Sequence, residues 1–424
     1  MELNPNALKD SGIEWVGKMP ECWQIGRIGG LYSLRNQKVS DQDYPPLSVT
    51  NKGILPQLET AAKTNSHNDR KLVKIGDFAI NSRSDRRGSC GISPYNGSVS
   101  LINTILSPNT KMNPQYYDWL FHTVQFGDEF YKWGHGIVDD LWTTGWQDMK
   151  KILIPFPPLD EQERISTFLD RRCAEIDALA ADIQSQIDTL EQYKRSVITE
   201  TVTGGLNPDA ETRDSGHDWV GTIPLIWKMC KGKYMFSQRN LRGNNIELQL
   251  LSPTQKFGVV PQSRYEELTG MSAVKLNEKT DLSLLKTIHK GDFCISLRSF
   301  QGGFEYSEYE GVVSPAYQVF YPVVEIADGY YKYLFKENGF IEKMNSYTMT
   351  LRDGKNIAFS DFGNTYIPYP PVQEQAEIAA FLDEKCTDID AVISDKKAQM
   401  DTLSDYKKSL IFECVTGKKE VPAS

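Results

Sequence analysis

The sequence contains no uninterrupted apolar run near the roughly 18 residues that a membrane-crossing helix requires, and its mean hydropathy is -0.45. Its first residues lack a basic segment followed by an apolar one, so no secretory signal is expected, and a soluble, cytoplasmic protein is the expectation. Cysteine is sparse and unpaired in spacing. Cys22, Cys90, Cys173, Cys230, Cys294, Cys386 and Cys414 form no Cys-x-x-Cys motif, which argues against a disulfide framework or a structural zinc site. They are expected to be reduced thiols, mostly in cores. There is no Gly-x-x-x-x-Gly-Lys-Ser/Thr phosphate loop, no His-Glu-x-x-His metal motif and no Gly-x-Ser-x-Gly nucleophile turn. His135, Asp139 and Asp140 lie close in sequence without a nucleophile beside them. No catalytic residue, metal site or cofactor is therefore expected in this chain.

Positive charge is not in excess either, since 47 Lys and Arg face 56 Asp and Glu for a net charge of -9. The average hides a distribution. Residues 1–150 carry 16 basic and 16 acidic side chains, and residues 207–368 carry 18 and 19. Eight of the nine surplus negative charges fall in 151–206 and 369–424. The two large segments are nearly neutral and can still present local basic faces to a polyanion.

What the sequence does have is an internal duplication with a period slightly above 200 residues. Asp10-Ser11-Gly12 with Trp15-Val16-Gly17, Pro20 and Trp23 returns as Asp214-Ser215-Gly216 with Trp219-Val220-Gly221, Pro224 and Trp227. Leu47-Ser48, Thr50-Asn51-Lys52 and Pro56-Gln57 return as Leu251-Ser252, Thr254-Gln255-Lys256 and Pro261-Gln262. Gly76-Asp77-Phe78 with Arg83 returns as Gly291-Asp292-Phe293 with Arg298. Ile154-Pro155-Phe156-Pro157-Pro158 with Glu161-Gln162 and Phe168-Leu169-Asp170 returns as Ile367-Pro368-Tyr369-Pro370-Pro371 with Glu374-Gln375 and Phe381-Leu382-Asp383. The order is A-B-A′-B′, with boundaries at 1–153, 154–206, 207–366 and 367–424.

The B segments read as long helices, because apolar residues recur every three or four positions after each Pro-Pro. The first series runs through Ile165, Leu169, Ile176, Leu179, Ile183, Leu190 and Tyr193, and the second through Ile378, Leu382, Ile389, Val392, Leu403 and Tyr406. Lys396 stands where the first copy has Ile183. Such spacing suits a coiled-coil seam, and about 44 residues at roughly 1.5 Å each give a rod near 66 Å. With their seams exposed neither helix is stable, so the two are expected to pair antiparallel about a pseudo-twofold axis. Ile165, Leu169, Ile176, Ile183, Leu190, Ile378, Leu382, Ile389 and Leu403 are the candidate helix and subunit interface. The A segments mix short β-rich runs (Asp77 to Ile80, Ile152 to Ile154, Val313 to Tyr321) with short helices near Gln115 to Val124 and Tyr330 to Phe335, so the fold class is α+β.

The frame repeats, whereas the segments inside it do not. Asn81 to Gly88, with Ser82, Arg83, Arg86 and Arg87, aligns with Ser296 to Gly303, with Arg298 and Gln301. Trp133 to Trp142 aligns with Ser346 to Lys355, which contains Arg352, Asp353 and Lys355. Like frames with unlike loops suit a reader of two different half-targets. Arg pairs with guanine, Gln or Asn with adenine, and Lys, Ser and Thr with phosphate. Arg-rich loops are also common solvated surface, and Thr50, Asn51, Lys52, Thr254, Gln255 and Lys256 also fit a plain turn before a strand. Trp133, Trp142 and Trp146 read as core or loop anchors, Trp15 and Trp219 as packing for each N-terminal arm. Lys194-Arg195 and Lys407-Lys408 are explained by the helix dipole.

These residues carry a resemblance. The duplicated Ile-Pro-x-Pro-Pro-x-x-Glu-Gln blocks, each opening a helix with Phe-Leu-Asp, together with the duplicated Gly-Asp-Phe and Asp-Ser-Gly-x-x-Trp-Val-Gly blocks, resemble the specificity subunit of type I restriction-modification systems over essentially the whole chain. The resemblance implies that 1–153 and 207–366 are target recognition domains, each binding one part of a split, asymmetric DNA site through the major groove. It implies that the helices are spacers on which two modification subunits dock. Those subunits bring S-adenosylmethionine and methylate adenine, and restriction subunits bring ATP and magnesium for translocation and cleavage. This chain would be non-catalytic. The competing class is a two-headed coiled-coil adaptor that binds protein or glycan, which leaves the unlike loops without a reason.

Overall fold

The computed structural model describes residues 7–57, 68–83, 88–109, 112–136, 142–242, 248–271, 282–295, 303–347 and 357–422. The chain divides into two compact units, Met1–Gln184 with Lys397–Ser424, and Ser185–Lys396. Each unit therefore combines one mixed region with one portion of each long helix. Of the seven thiols, Cys22 is exposed, Cys230 is half-buried and the other five are buried, all of them free.

Unit 1 is built on an antiparallel sheet in the order Cys90–Ile92, Phe78–Asn81, Asn103–Pro108, Tyr32–Leu34. Unit 2 repeats it with Phe304–Tyr306, Phe293–Ile295, Gln318–Pro322 and Phe236–Arg239. A hairpin covers part of each sheet: Leu47–Thr50 with Gly53–Pro56, and Leu251–Thr254 with Gly258–Pro261. Beneath the first hairpin Leu47, Ile54, Val73, Ala79, Val99 and Ile105 form a small core. Leu251, Val259, Ile288, Cys294, Val313 and Val319 do the same in unit 2. The Val313 to Tyr321 run is two strands, Gly311–Val313 and Gln318–Pro322, with the turn that Pro315 favours between them.

The opposite sheet face carries helix Pro114–Phe121 in unit 1 and Asp328–Leu334 in unit 2. Tyr116, Tyr117, Tyr330 and Tyr331 are fully buried there, and complete burial of one large side chain stabilises by about 1.5–3 kcal/mol. The Tyr116 hydroxyl donates to Val415 O at 2.7 Å, and the Tyr330 hydroxyl to Val202 O at 2.7 Å. Each mixed region is thereby tied to the closing turn of a long helix. Trp15 packs edge-on against Phe126, and Trp219 against Phe340, which fixes the N-terminal arms.

The Pro-Pro-x-x-Glu-Gln blocks explain themselves through hydrogen bonds. The Trp23 indole donates to Glu161 at 2.8 Å and the Trp227 indole to Glu374 at 2.9 Å. Gln162 donates to Pro157 O and accepts from Asn113 N, while Gln375 donates to Pro370 O and accepts from Ala327 N. Each buried glutamine thus pairs both ends of its amide, as a buried polar group must.

The long helices run Leu159–Gly204 and Val372–Val415. Within each unit their portions are antiparallel. In unit 1 Asp177 meets Lys407 at 2.6 Å, and in unit 2 Lys194 meets Asp390 at 2.7 Å. These lysines serve as cross-helix partners, which corrects their reading as helix-dipole charges. Ile165, Leu169, Ile176, Ile183, Ile378, Leu382 and Ile389 are buried, and Leu190 and Leu403 are half-buried. Leu179, Tyr193, Val392 and Tyr406 are instead exposed by 48%, 50%, 44% and 43%, so they leave the expected seam. A strict alternation of three and four residues passes through Ala180, Lys194, Ile393 and Lys407, one position beyond each of them. Lys396 does occupy the seam position, where its ammonium donates to Gln186.

Candidate nucleic-acid interface

The charged residues of the repeated Gly-Asp-Phe block belong to the frame. Asp77 takes two hydrogen bonds from Arg35, at 2.6 and 3.0 Å, and one from Lys74 N at 2.8 Å. Asp292 takes the same set from Arg239, at 2.7 and 3.0 Å, and from His289 N at 2.9 Å. Bidentate geometry and burial of the carboxylate make this pair a fixed joint between strands.

Beyond this joint the two strands reach the segments that differ. In unit 1 Asn81 accepts from Arg83 N, and the Ser82 hydroxyl pairs with Thr104 at 2.9 Å. Arg83 is exposed on the rim of a cleft of about 440 Å³ that includes Lys71, Ile102 and Trp146. Lys71 was not singled out from sequence. Its ammonium donates to Asn103 O at 2.7 Å, and burial lowers its pKa. Arg86, Arg87, Arg298, Gln301, Arg352 and Lys355, together with Asp139, Asp140 and Asp353, lie outside the described residues.

The hairpin residues divide by chemistry. Thr50 donates to Gly53 O and accepts from Lys52 N, and Thr254 donates to Gly258 O and accepts from Phe257 N. Both hydroxyls close their turns, so the turn reading holds for the threonines. Asn51 and Lys52 are exposed at the tip, and the Lys256 ammonium stands 5.2 Å from the Phe257 ring centre. Gln255 and Lys256 border a groove of about 1120 Å³ in unit 2, together with Lys194, Arg264, Lys332 and Lys336. A sequence pattern could not gather these lysines, because strand pairing and helix packing bring them together across about 140 positions.

The other aromatic and acidic candidates have structural employment. The Trp133 indole donates to Glu129 and the Trp142 indole to Tyr131 O. His135 faces Asp148 at 3.3 Å and shares backbone hydrogen bonds with Thr143. Asp383, of the repeated Phe-Leu-Asp block, likewise accepts from the Tyr333 hydroxyl at 2.7 Å. Among the described residues no group of three or more His, Cys, Asp or Glu side chains could hold a metal ion, and no helix is long and apolar enough to cross a membrane.

Residues 20–189 and 232–399 each match the profile of the type I restriction modification DNA specificity domain. Over its length the chain is similar to two proteins of Methanocaldococcus jannaschii. One is a putative type I restriction enzyme MjaX specificity subunit, 21% identical over 96% of both chains. The other is the type I restriction enzyme MjaVIII specificity subunit, 24% identical over 95% of this chain and 94% of the relative. Among solved structures it is similar to a chain from a study of assembly and conformational transition of the type I R-M system, at 14% identity and a TM-score of 0.70, covering 95% of this chain and 99% of that one. It is also similar to the HsdS subunit of Thermoanaerobacter tengcongensis, at 16% identity and a TM-score of 0.53, covering 95% and 98%.

Proposed function

The chain belongs to the type I restriction modification DNA specificity family, and from that membership we propose that it is the non-catalytic, sequence-specific DNA-recognition subunit of a type I restriction-modification complex. The observation that carries this reading is the doubled family match laid over two units with the same internal joints. Segments 1–153 and 207–366 act as two target recognition domains, each reading one half of a split, asymmetric site. Arg83 and Lys52 in the first domain and Gln255 and Lys256 in the second are the described residues best placed to meet DNA, because they stand on exposed rims and turns. Arg86, Arg87, Arg298, Gln301, Arg352 and Lys355 complete the set by sequence position. With both domains near neutral overall, phosphate charge is offset largely by partner subunits, and the isolated chain binds DNA weakly.

The long helices supply the docking surface for two modification subunits. Each unit exposes equivalent large apolar residues on its helices, Leu179 and Tyr406 in unit 1 and Val392 and Tyr193 in unit 2. A repeated surface suits two copies of one partner. Restriction subunits join this assembly, and the complex works in the cytoplasm. S-adenosylmethionine, ATP and magnesium are held by the partners.

The test is co-expression with a modification subunit, followed by single-molecule mapping of methylated adenines in host DNA. The expected result is a bipartite motif whose halves change separately when residues 1–153 or 207–366 are exchanged for those of a relative. A stable complex that adds no methylation would overturn the reading in favour of an adaptor.

A further inference from the structure

The 1120 Å³ groove of unit 2 has an unusual floor. Glu305 lies there with 1% of its surface exposed, on strand Phe304–Tyr306 opposite Cys294. One carboxylate oxygen accepts from Lys336 at 2.6 Å. The other, Oε2, is buried and has no hydrogen-bond partner among the described residues. Burial pushes the carboxyl up to about 7, an effect that the Lys336 charge only partly reverses. A buried acceptor without a donor costs about 1–3 kcal/mol.

Most of the other charged groups of the groove pair with one another or with a near neighbour, and Lys256 stands beside the Phe257 ring. Lys194 holds Asp390, Lys332 faces Glu308 and Asp383, and Arg264 holds Glu267. Across the sheet Asp292 is bound by Arg239, and burial keeps the Cys294 thiol neutral. Tyr306 and Tyr333 donate their hydroxyls to Asp328 and Asp383, so what they add to the groove is mainly ring surface. The oxygen lacks an N–H donor, and a cation entering from the groove would lie against aromatic walls and meet it by turning the carboxylate outward.

Unit 1 is built differently at the same place. Gly91 pairs with Ala79 as Glu305 pairs with Cys294. A Cβ at Gly91 would stand 2.8 Å from the Gly53 Cα, so the hairpin rests directly on the strand. Only in unit 2 does this strand position carry a side chain with an acceptor to offer.

We propose that the unit 2 groove binds an organic cation, an ammonium or guanidinium group on a slender aliphatic stem, which donates to Glu305 Oε2 beside Lys336. This goes beyond DNA recognition and does not depend on it.

Calorimetric titration of the full chain with spermidine and, separately, with N-acetyl-argininamide tests the assignment. Saturable binding is expected, about tenfold weaker at pH 6 than at pH 8, with roughly half a proton released per site at pH 7, because the cation displaces the proton from a carboxyl titrating near 7. Tighter spermidine binding identifies a free polyamine as the natural occupant, and tighter argininamide binding an arginine side chain. Glu305→Gln should weaken binding at least tenfold, and any residual binding should release no proton and lose its dependence on pH between 6 and 8. A Glu305→Gln chain that unfolds in denaturant no earlier than the parent separates a lost site from a lost fold. Absence of saturable binding by both probes, or equal binding by the Glu305→Gln chain, would overturn the proposal.

Discussion

Strands Cys90–Ile92 and Phe304–Tyr306 occupy the same place in like sheets and both meet a hairpin, yet one meets it through a glycine and the other buries an ion pair. Around them much of the frame recurs: the Arg–Asp joints, the Trp–Glu bonds and the hydroxyls of Tyr116 and Tyr330 on helix ends are found in both. The lesson is that duplication preserved the joints, while the contact between hairpin and sheet was free to diverge. The sharpest way to break this comparison is to give unit 1 the residue of unit 2. Gly91→Glu forces a side chain against the Gly53 backbone and buries a carboxylate with no lysine at hand, since His122 stands where unit 2 has Lys336. A loss of about 4 kcal/mol in unit 1 is expected. Amide exchange in Phe78–Asn81 should accelerate while exchange in Phe293–Ile295 stays as before; an unchanged rate in both would show that the hairpin does not need the glycine.

Much of this frame was legible in the sequence. Repeated blocks of Trp, Gly-Asp-Phe and Pro-Pro-x-x-Glu-Gln announce two equivalent regions, and a three-four apolar rhythm announces helices. What the rhythm could not give was the register. Leu179, Tyr193, Val392 and Tyr406 fit the apolar rhythm about as well as the seam residues, and only the partner helix shows that the alanine, lysine or isoleucine one position further on faces inward. The role of the shared Asp77 and Asp292 was equally hidden, because Arg35 and Arg239 lie 42 and 53 residues away. The candidate DNA contacts are residue types that suit bases and phosphates. The two threonines then proved to be turn hydroxyls, a use that chemistry alone cannot separate from phosphate binding. Glu305 and Lys336 give no signal at all in the sequence, since 31 residues and a sheet separate them.

A second way to sharpen the comparison is pH. In the folded chain Glu305 titrates near 7, above its ordinary 4.5. Folding therefore favours the protonated form. The associated stability is fully present below about pH 4.5 and is lost as pH rises towards 7, by about 3 kcal/mol at most. Glu305→Gln should remove this slope and leave unit 2 about 2 kcal/mol more stable at pH 8. Denaturant unfolding at a series of pH values checks the sign. A variant that is less stable than the parent at pH 8 would mean that the Lys336 pair stabilises the fold after all, as an ion pair in good geometry can.

The smallest expected effect probes the same divergence along the helices. Ile183 is 6% exposed in unit 1, while the seam position equivalent to it in unit 2 holds Lys396, half-buried and bonded to Gln186. An alkyl stem with a charged tip covers some apolar surface but cannot enter the seam as a branched apolar side chain does. Lys396→Ile should therefore bury further area beside Ile187 and Ile393 and stabilise unit 2 by about 1 kcal/mol, after the lost hydrogen bond is counted. For a unit of this size that corresponds to a rise in Tm of about 2–4 °C. A fall in Tm would mean that the amide–ammonium contact specifies the helix register at that point, as single polar residues in coiled-coil seams do, and the interruption would then be a register device that unit 1 lacks.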